Sequence, residues 1–219
     1  MRRPTFSQEN ILFSQGFKII AGLDEAGRGA WAGPIVAGAV LLTPPSLTLY
    51  KGRKFVTPQY QKEKIIVRDS KLMSAQQRMR AYEFLTQNFT CAFGVVESEQ
   101  IDSLGMGKAN QLVMNNALDA LGVRPDFALI DGRGFWFDMP YKNIIDGDAK
   151  VFCIAAASIV AKVVRDEIMK AYDNIFDEYG FFHHKGYGTR IHQEALKKHG
   201  VCPIHRMSYK PIKALASHE

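Results

Sequence analysis

Apolar residues run almost unbroken through KIIAG at 18–22 and IVAGAVLL at 35–42. Such runs predict strands covered on both faces, at 18–24 and 35–42. TPPS at 43–46 breaks the pattern, and a basic, irregular loop is expected beyond it. Ser74 with Gln77 spells a capping box, and Ala75, Met79, Tyr82 or Phe84, Leu85 and Phe89 repeat behind it at helical spacing. A third strand is expected at 90–96, then a helix at 108–121 closed by Gly122 and Pro125. FALID at 127–131 is a fourth strand and 143–146 a short fifth, followed by a long helix at 152–172, alanine-rich at first and charged later. Thr189 and Gly200 bracket a last helix as cap and stop. Residues 1–17 read as a polar tail. The order points to an α/β layer structure with a helical C-terminal extension and no internal repeat.

A chain of 219 residues, 47% of them hydrophobic, can bury a full core as one domain. The longest apolar runs, 35–42 and 151–161, fall far short of the ~20 residues that a bilayer span needs. Arg2 and Arg3 could start a signal peptide, but Ser7, Gln8, Glu9, Asn10, Ser14 and Gln15 interrupt any hydrophobic segment behind them. A cytoplasmic protein is therefore expected. Cys91, Cys153 and Cys202 form no CxxC pair, so they read as core or bystander thiols. The net charge of +6 favours a polyanionic partner. Lys51, Arg53, Lys54, Lys62, Lys64, Arg68 and Lys71 outnumber Glu63 and Asp69 in one stretch, and a second basic stretch runs from 183 to 213. The two could flank an anionic groove, or simply be solvated surface.

In three places an apolar strand runs straight into acid plus glycine: GLDEAG at 22–27, ALIDGRG at 128–134 and NIIDGDAK at 143–150. Ligands collect where the strands of open α/β sheets end, so these acids could converge. Asp24, Glu25, Asp131 and one of Asp146 or Asp148 would then make a hard-oxygen site for Mg²⁺, which combines carboxylates with waters and phosphate oxygens. Each Asp-Gly could instead be a plain turn. Consecutive strand residues face opposite ways, so a shared site for Asp24 and Glu25 requires the chain to turn directly after Asp24. The glycines at 27 and 29 would permit that turn and the close approach of a sugar or phosphate. Ser158, Lys162 and Arg165 form a polar stripe on the long helix, able to hold phosphates or merely to meet solvent. Tyr187 between two glycines could stack on a sugar or base, with Lys185 at the neighbouring phosphate. The histidines lack the HExxH spacing of a zinc site.

Taken in order, DEAGRGAWAGP, RDSKLMS, LIDGRG, DGDAKVFCIAAASIVAKVVRD, YGFFHHKGYGT and HRMSYKPIK resemble the motif series of type 2 ribonuclease H, most closely bacterial ribonuclease HII, from about residue 18 to 212. The GRG triplet, and a lead of only about 17 residues before the first strand, set the chain apart from the sister ribonuclease HIII. The resemblance implies a ribonuclease H-like fold, a central mixed five-stranded sheet flanked by helices, with the catalytic domain at 18–175 and the helical extension at 176–219 packed on it. It implies cleavage of the RNA strand of RNA/DNA hybrids and incision 5′ of ribonucleotides embedded in duplex DNA, with two Mg²⁺ or Mn²⁺ ions and 5′-phosphate and 3′-hydroxyl products. By the same resemblance Asp24, Glu25, Asp131 and Asp148 bind the metals, which selects Asp148 over Asp146. Gly27, Arg28 and Gly29 sense the 2′-hydroxyl, Tyr187 stacks on the sugar after the ribonucleotide, and Lys71, Ser158, Lys162, Arg165 and Lys185 contact the backbone. Ala30 and Leu72 stand where the family commonly has proline and lysine, and Phe135 and Trp136 make the segment after DGRG unusually aromatic. A monomer is expected, and no sliding-clamp contact is legible. The rival readings are a basic nucleic-acid-binding protein without turnover and a DNA nuclease on the same fold.

Overall fold

The computed structural model describes residues 4–44, 50–51, 54–55 and 65–216. Arg53, Lys62, Glu63 and Lys64 of the first basic stretch lie outside the described residues. Five strands form one mixed sheet in the order β5 (Cys91–Val96), β2 (Ile35–Leu42), β1 (Ile20–Ala26), β6 (Phe127–Asp131) and β7 (Tyr141–Ile144). β2 runs antiparallel to both β1 and β5, whereas β1, β6 and β7 are parallel. A separate two-stranded pair, β3 (Tyr50–Lys51) and β4 (Lys54–Phe55), lies in the segment expected to be irregular.

Both faces of the sheet are covered, which is why β2 is apolar at every position. On one face α5 (Phe152–Asp173) lies across the strands, with α2 (Ala75–Asn88) behind it. Its alanine-rich first half sits so close that a Cβ on Gly38 would come within 2.2 Å of the Ala157 carbonyl oxygen. On the other face α4 (Met106–Asp119) packs on Ala21, Leu23, Ile35 and Ala37, preceded by α3 (Ser98–Leu104), a short helix that the apolar pattern did not show. The Ser74–Gln77 capping box forms in both directions, and Phe84 rather than Tyr82 carries the buried stripe of α2 with Ala81 and Leu85. Met79 is exposed because only the later half of α2 meets the core.

The reading of 1–17 as a polar tail needs correction. α1 (Ser7–Ser14) docks at the start of α5, with Leu12 buried and Phe6 stacked on Phe152 at 4.3 Å. Its Glu9 carboxylate is wholly buried and accepts the Cys153 N–H at 2.9 Å. α5 has no side-chain cap of its own, so Glu9 supplies an acceptor to its first turn. Burial pushes the Glu9 carboxyl up to about 7. A carboxyl raised in the fold stabilises it fully below the ordinary value of 4.5 and loses that contribution as pH rises through about 7. Thermal melts at pH 5.5 and 8.5 test this: wild type drops by a few °C more than Glu9→Gln over this interval. Parallel pH dependence in the two proteins would contradict the assignment.

After α5 the chain builds α6 (Phe181–His184), α7 (Arg190–His199) and α8 (Lys210–Ala216) around Tyr179, Phe181, Leu196, Ile204 and Ile212. Thr189 and Gly200 bound α7 as expected, while α6 and α8 are additions. This extension grips the segment after β1: the Trp31 N–H donates to the Gly186 carbonyl at 2.8 Å and the Gly33 N–H to that of Ile204 at 2.8 Å.

Candidate active site

Because β1, β6 and β7 run parallel, their carboxyl ends lie along one side of the sheet. β1 and β6 are in register through Leu23 and Ile130, which places Asp24 and Asp131 on the next rung. The expected turn directly after Asp24 does not occur. β1 continues to Ala26, with Glu25 opposite Ala37 and Ala26 opposite Val36. Strand alternation holds, and it sends the two acids to opposite faces. Asp24 points to the α5 side, where Ser158 stands, and Glu25 to the α4 side, where Asn110 Nδ2 donates to its Oε1 at 3.4 Å. Asp131 ends β6 between them and is felt by both. Asp148 arrives from a 3₁₀ turn at Gly147–Ala149 and is buried, and the Gly147 N–H ties that turn to Asp131 Oδ1 at 2.6 Å. Asp146 takes a left-handed conformation (φ 53°), stays exposed and pairs with Lys150 at 3.8 Å, so Asp148 is the acid that joins the group.

These carboxylates repel each other. Burial, then Asp131 and Glu25, hold the Asp24 carboxyl well above its ordinary range, against the Ser158 side chain. Burial raises Glu25, opposed by the Arg28 guanidinium at 3.8 Å. Burial also raises Asp148, opposed by the Lys71 ammonium at 3.6 Å. Burial works against the charge on Lys71, yet Asp148, Asp24, Asp69 and Asp131 together raise its pKa. Among the described residues no three His, Cys, Asp or Glu side chains stand in an arrangement that could hold a metal ion. The donor set is nonetheless all hard oxygen, of the kind that fits Mg²⁺ or Mn²⁺, and Lys71 and Arg28 leave it short of positive charge.

The GRG loop follows at once. Gly27 has φ 94°, and a Cβ there would come within 1.9 Å of Arg165 Nε. Arg28 is exposed, and its carbonyl is held by Arg206 Nη1 at 3.1 Å and by the Tyr209 hydroxyl. Gly29 lies exposed in open space. Tyr187 is brought alongside by the Trp31–Gly186 hydrogen bond, with the Arg165 and Lys162 cations 5.4 and 6.0 Å from its ring centre.

The polar stripe on α5 makes internal contacts. Arg165 is fully buried, donating to the carbonyls of Pro34 (2.9 Å), Lys185 (2.9 Å) and Ala32 (3.2 Å), so it anchors main chain. Ser158 is buried beside Asp24 and shares a hydrogen bond with Ser70 at 3.0 Å. Lys162 pairs with Asp166 at 2.6 Å, and Lys185 folds back to the Phe182 carbonyl at 2.7 Å. The sequence reading gave no role to Asn110, Arg206 or Tyr209. For the latter two the legible signal was HRMSYKPIK, a motif whose partners lie far away in the chain.

A family model described as ribonuclease HII matches residues 21–212. A ribonuclease HII of Dehalococcoides mccartyi is 44% identical over 214 residues, covering 97% of this chain and 95% of that protein. One from Chlamydia pneumoniae is 41% identical over 211 residues, covering 95% and 91%. The crystal structure of ribonuclease H2 from Pyrococcus horikoshii shares the fold, with a TM-score of 0.72 at 23% identity over 91% of this chain and 98% of that one. Likeness of this extent in sequence shows that the chain belongs to the ribonuclease HII family of ribonuclease H enzymes.

Proposed function

We propose that this endoribonuclease, which hydrolyses the RNA strand of RNA/DNA hybrids, also incises duplex DNA on the 5′ side of an embedded ribonucleotide, using two divalent ions. The observation that carries this reading is the meeting of Asp24, Glu25, Asp131 and Asp148 at one end of the sheet with too little positive charge to balance them. Those four residues would hold the ions. Mg²⁺ or Mn²⁺ bound there supplies Lewis acidity at the scissile phosphate and a nucleophile at neutral pH, giving 5′-phosphate and 3′-hydroxyl ends. The chain's own part is orientation. Among the described residues the N–H groups of Arg28 and Gly29 have no internal acceptor, and they stand next to the carboxylates, where a 2′-hydroxyl would have to lie to be recognised. Arg206 and Tyr209 fix that loop from behind. The exposed Arg28 side chain and the net charge of +6 favour the polyanionic strand, with Lys71, Lys162 and Lys185 at the margin. Among the described residues no helix is long and apolar enough to cross a membrane, and we take the enzyme to act as a cytoplasmic monomer.

The test is a DNA duplex carrying one ribonucleotide, incubated with Mg²⁺ or Mn²⁺. Incision 5′ of that ribonucleotide, abolished by EDTA, is expected. Intact substrate, or incision that survives EDTA, would overturn the reading. Tyr187→Ala separates junction recognition from catalysis. Stacking worth ~1–3 kcal/mol makes its loss on the single-ribonucleotide duplex about tenfold, with a much smaller loss on a long hybrid. Equal losses on the two substrates would remove the junction role.

A further inference from the structure

The C-terminal extension buries three imidazoles that the reaction does not use: His184, His192 and His205. Their hydrogen bonds define which nitrogen carries each proton. His205 Nδ1 faces three Cys202 groups: the amide N–H at 2.9 Å, the carbonyl oxygen at 3.1 Å and Sγ at 3.1 Å. The other end of the chain selects among them: the Tyr187 carbonyl oxygen, 3.1 Å from His192 Nδ1, can only accept, so a neutral His192 carries its proton on Nδ1 and accepts at Nε2. The His205 proton is then on Nε2, 3.0 Å from His192 Nε2, which leaves His205 Nδ1 to accept the Cys202 N–H. His184 stacks on His192 at 4.4 Å, accepts the Gly186 N–H at Nδ1 (3.2 Å) and donates from Nε2 to Tyr179 (2.9 Å). Burial pushes both His192 and His205 down to about 4, which keeps these rings neutral at working pH. An added proton on either would set two donors against each other.

We propose that His205 and His192 form a relay of neutral imidazoles that positions Tyr187 for recognition of an embedded ribonucleotide. The relay rests on the reading of Tyr187 given above. It runs in one direction, from the Cys202 amide through two rings to the main chain of Tyr187. A core that needed only filling would accept an apolar side chain at 192. A relay needs the N–H.

Two full-length variants decide between these. His192→Leu removes the donor to Tyr187, whereas His192→Asn keeps an amide N–H at the place of Nδ1. The quantity read is the ratio of kcat/KM on the single-ribonucleotide duplex to that on a long hybrid, measured well below each variant's melting temperature. Losing one oriented hydrogen bond lowers the ratio about tenfold in His192→Leu, and His192→Asn returns it to within about twofold of wild type. The double variant with Tyr187→Ala shows no further fall. If Tyr187→Ala lowers the ratio but His192→Leu does not, or if His192→Asn fails to restore it, the relay is overturned and the Tyr187 reading stands. If Tyr187→Ala itself leaves the ratio unchanged, both fall together. Nitrogen-15 spectra of the imidazoles in wild type give a check independent of any variant's folding: a proton on His192 Nδ1 and His205 Nε2 is expected, and the opposite tautomers would overturn the relay.

Discussion

Asp24→Asn abolishes cleavage, by about 10³-fold or more, and at the same time raises the unfolding temperature. The two effects have one cause. Asp24 is buried with its carboxyl well above the ordinary range, held there by burial and by Asp131 and Glu25. Its negative charge is costly in the metal-free fold and is kept for the ions it would hold. Asparagine has the same shape and can still accept the Glu25 N–H, which Asp24 Oδ1 meets at 2.7 Å. Only the charge goes. Relief of about 1 kcal/mol corresponds to ~2–4 °C in a chain of this size. The sign follows from the raised pKa: the variant gains nothing below the ordinary carboxylate range, where Asp24 is protonated in both states, and gains most at neutral pH. Mn²⁺ should then stabilise wild type and not the variant, because only a binder of the native state shifts the equilibrium. Melts in EDTA and in Mn²⁺, beside cleavage assays, read all three effects. A variant that is both inactive and less stable in EDTA would mean that Asp24 supports the fold and not the ions.

Arg165→Met has the largest expected effect on stability. The three carbonyls that Arg165 satisfies, on Ala32, Pro34 and Lys185, belong to two segments far apart in the chain, and methionine leaves two of them buried and the third part-buried without this donor. Breaking such a site costs ~3–5 kcal/mol, a fall on the order of 10 °C. The position of Gly27, whose missing Cβ makes room for this guanidinium, means that the GRG loop loosens as well. If Arg165 touched phosphate instead, the variant would melt normally, and the salt dependence of substrate binding would become shallower by about one unit of slope. Melting curves and a salt titration together distinguish the two roles.

The limit of legibility in this chain falls where contacts become distant or polar. β2 and β6 have the bounds expected from their apolar runs, because burial on both faces writes itself into composition. β7 sits two residues earlier than expected: among the described residues it pairs with β6 alone, and its Tyr141, Lys142 and Asn143 carry no apolar signal. α1 was hidden because its key residue is a buried acid, which reads as a surface residue until its partner at Cys153 is known. The stripe Ser158, Lys162, Arg165 was correct as a helical face, but spacing does not say whether such a face meets water or main chain more than 100 residues away. Asp146 and Asp148 were equivalent by spacing alone. The left-handed turn at Asp146 separates them, sending one to solvent and the other inward. The carboxylate cluster itself was legible as three acidic strand ends, since parallel strands bring such ends to one side.

Anomalous diffraction at the manganese edge, from crystals of the wild-type protein equilibrated with Mn²⁺, tests the central claim most directly. The account predicts anomalous density bound between the carboxylates of Asp24, Glu25, Asp131 and Asp148, with Lys71 displaced from Asp148. Crystals that hold no manganese at this end of the sheet, at Mn²⁺ concentrations that support cleavage in solution, would contradict it.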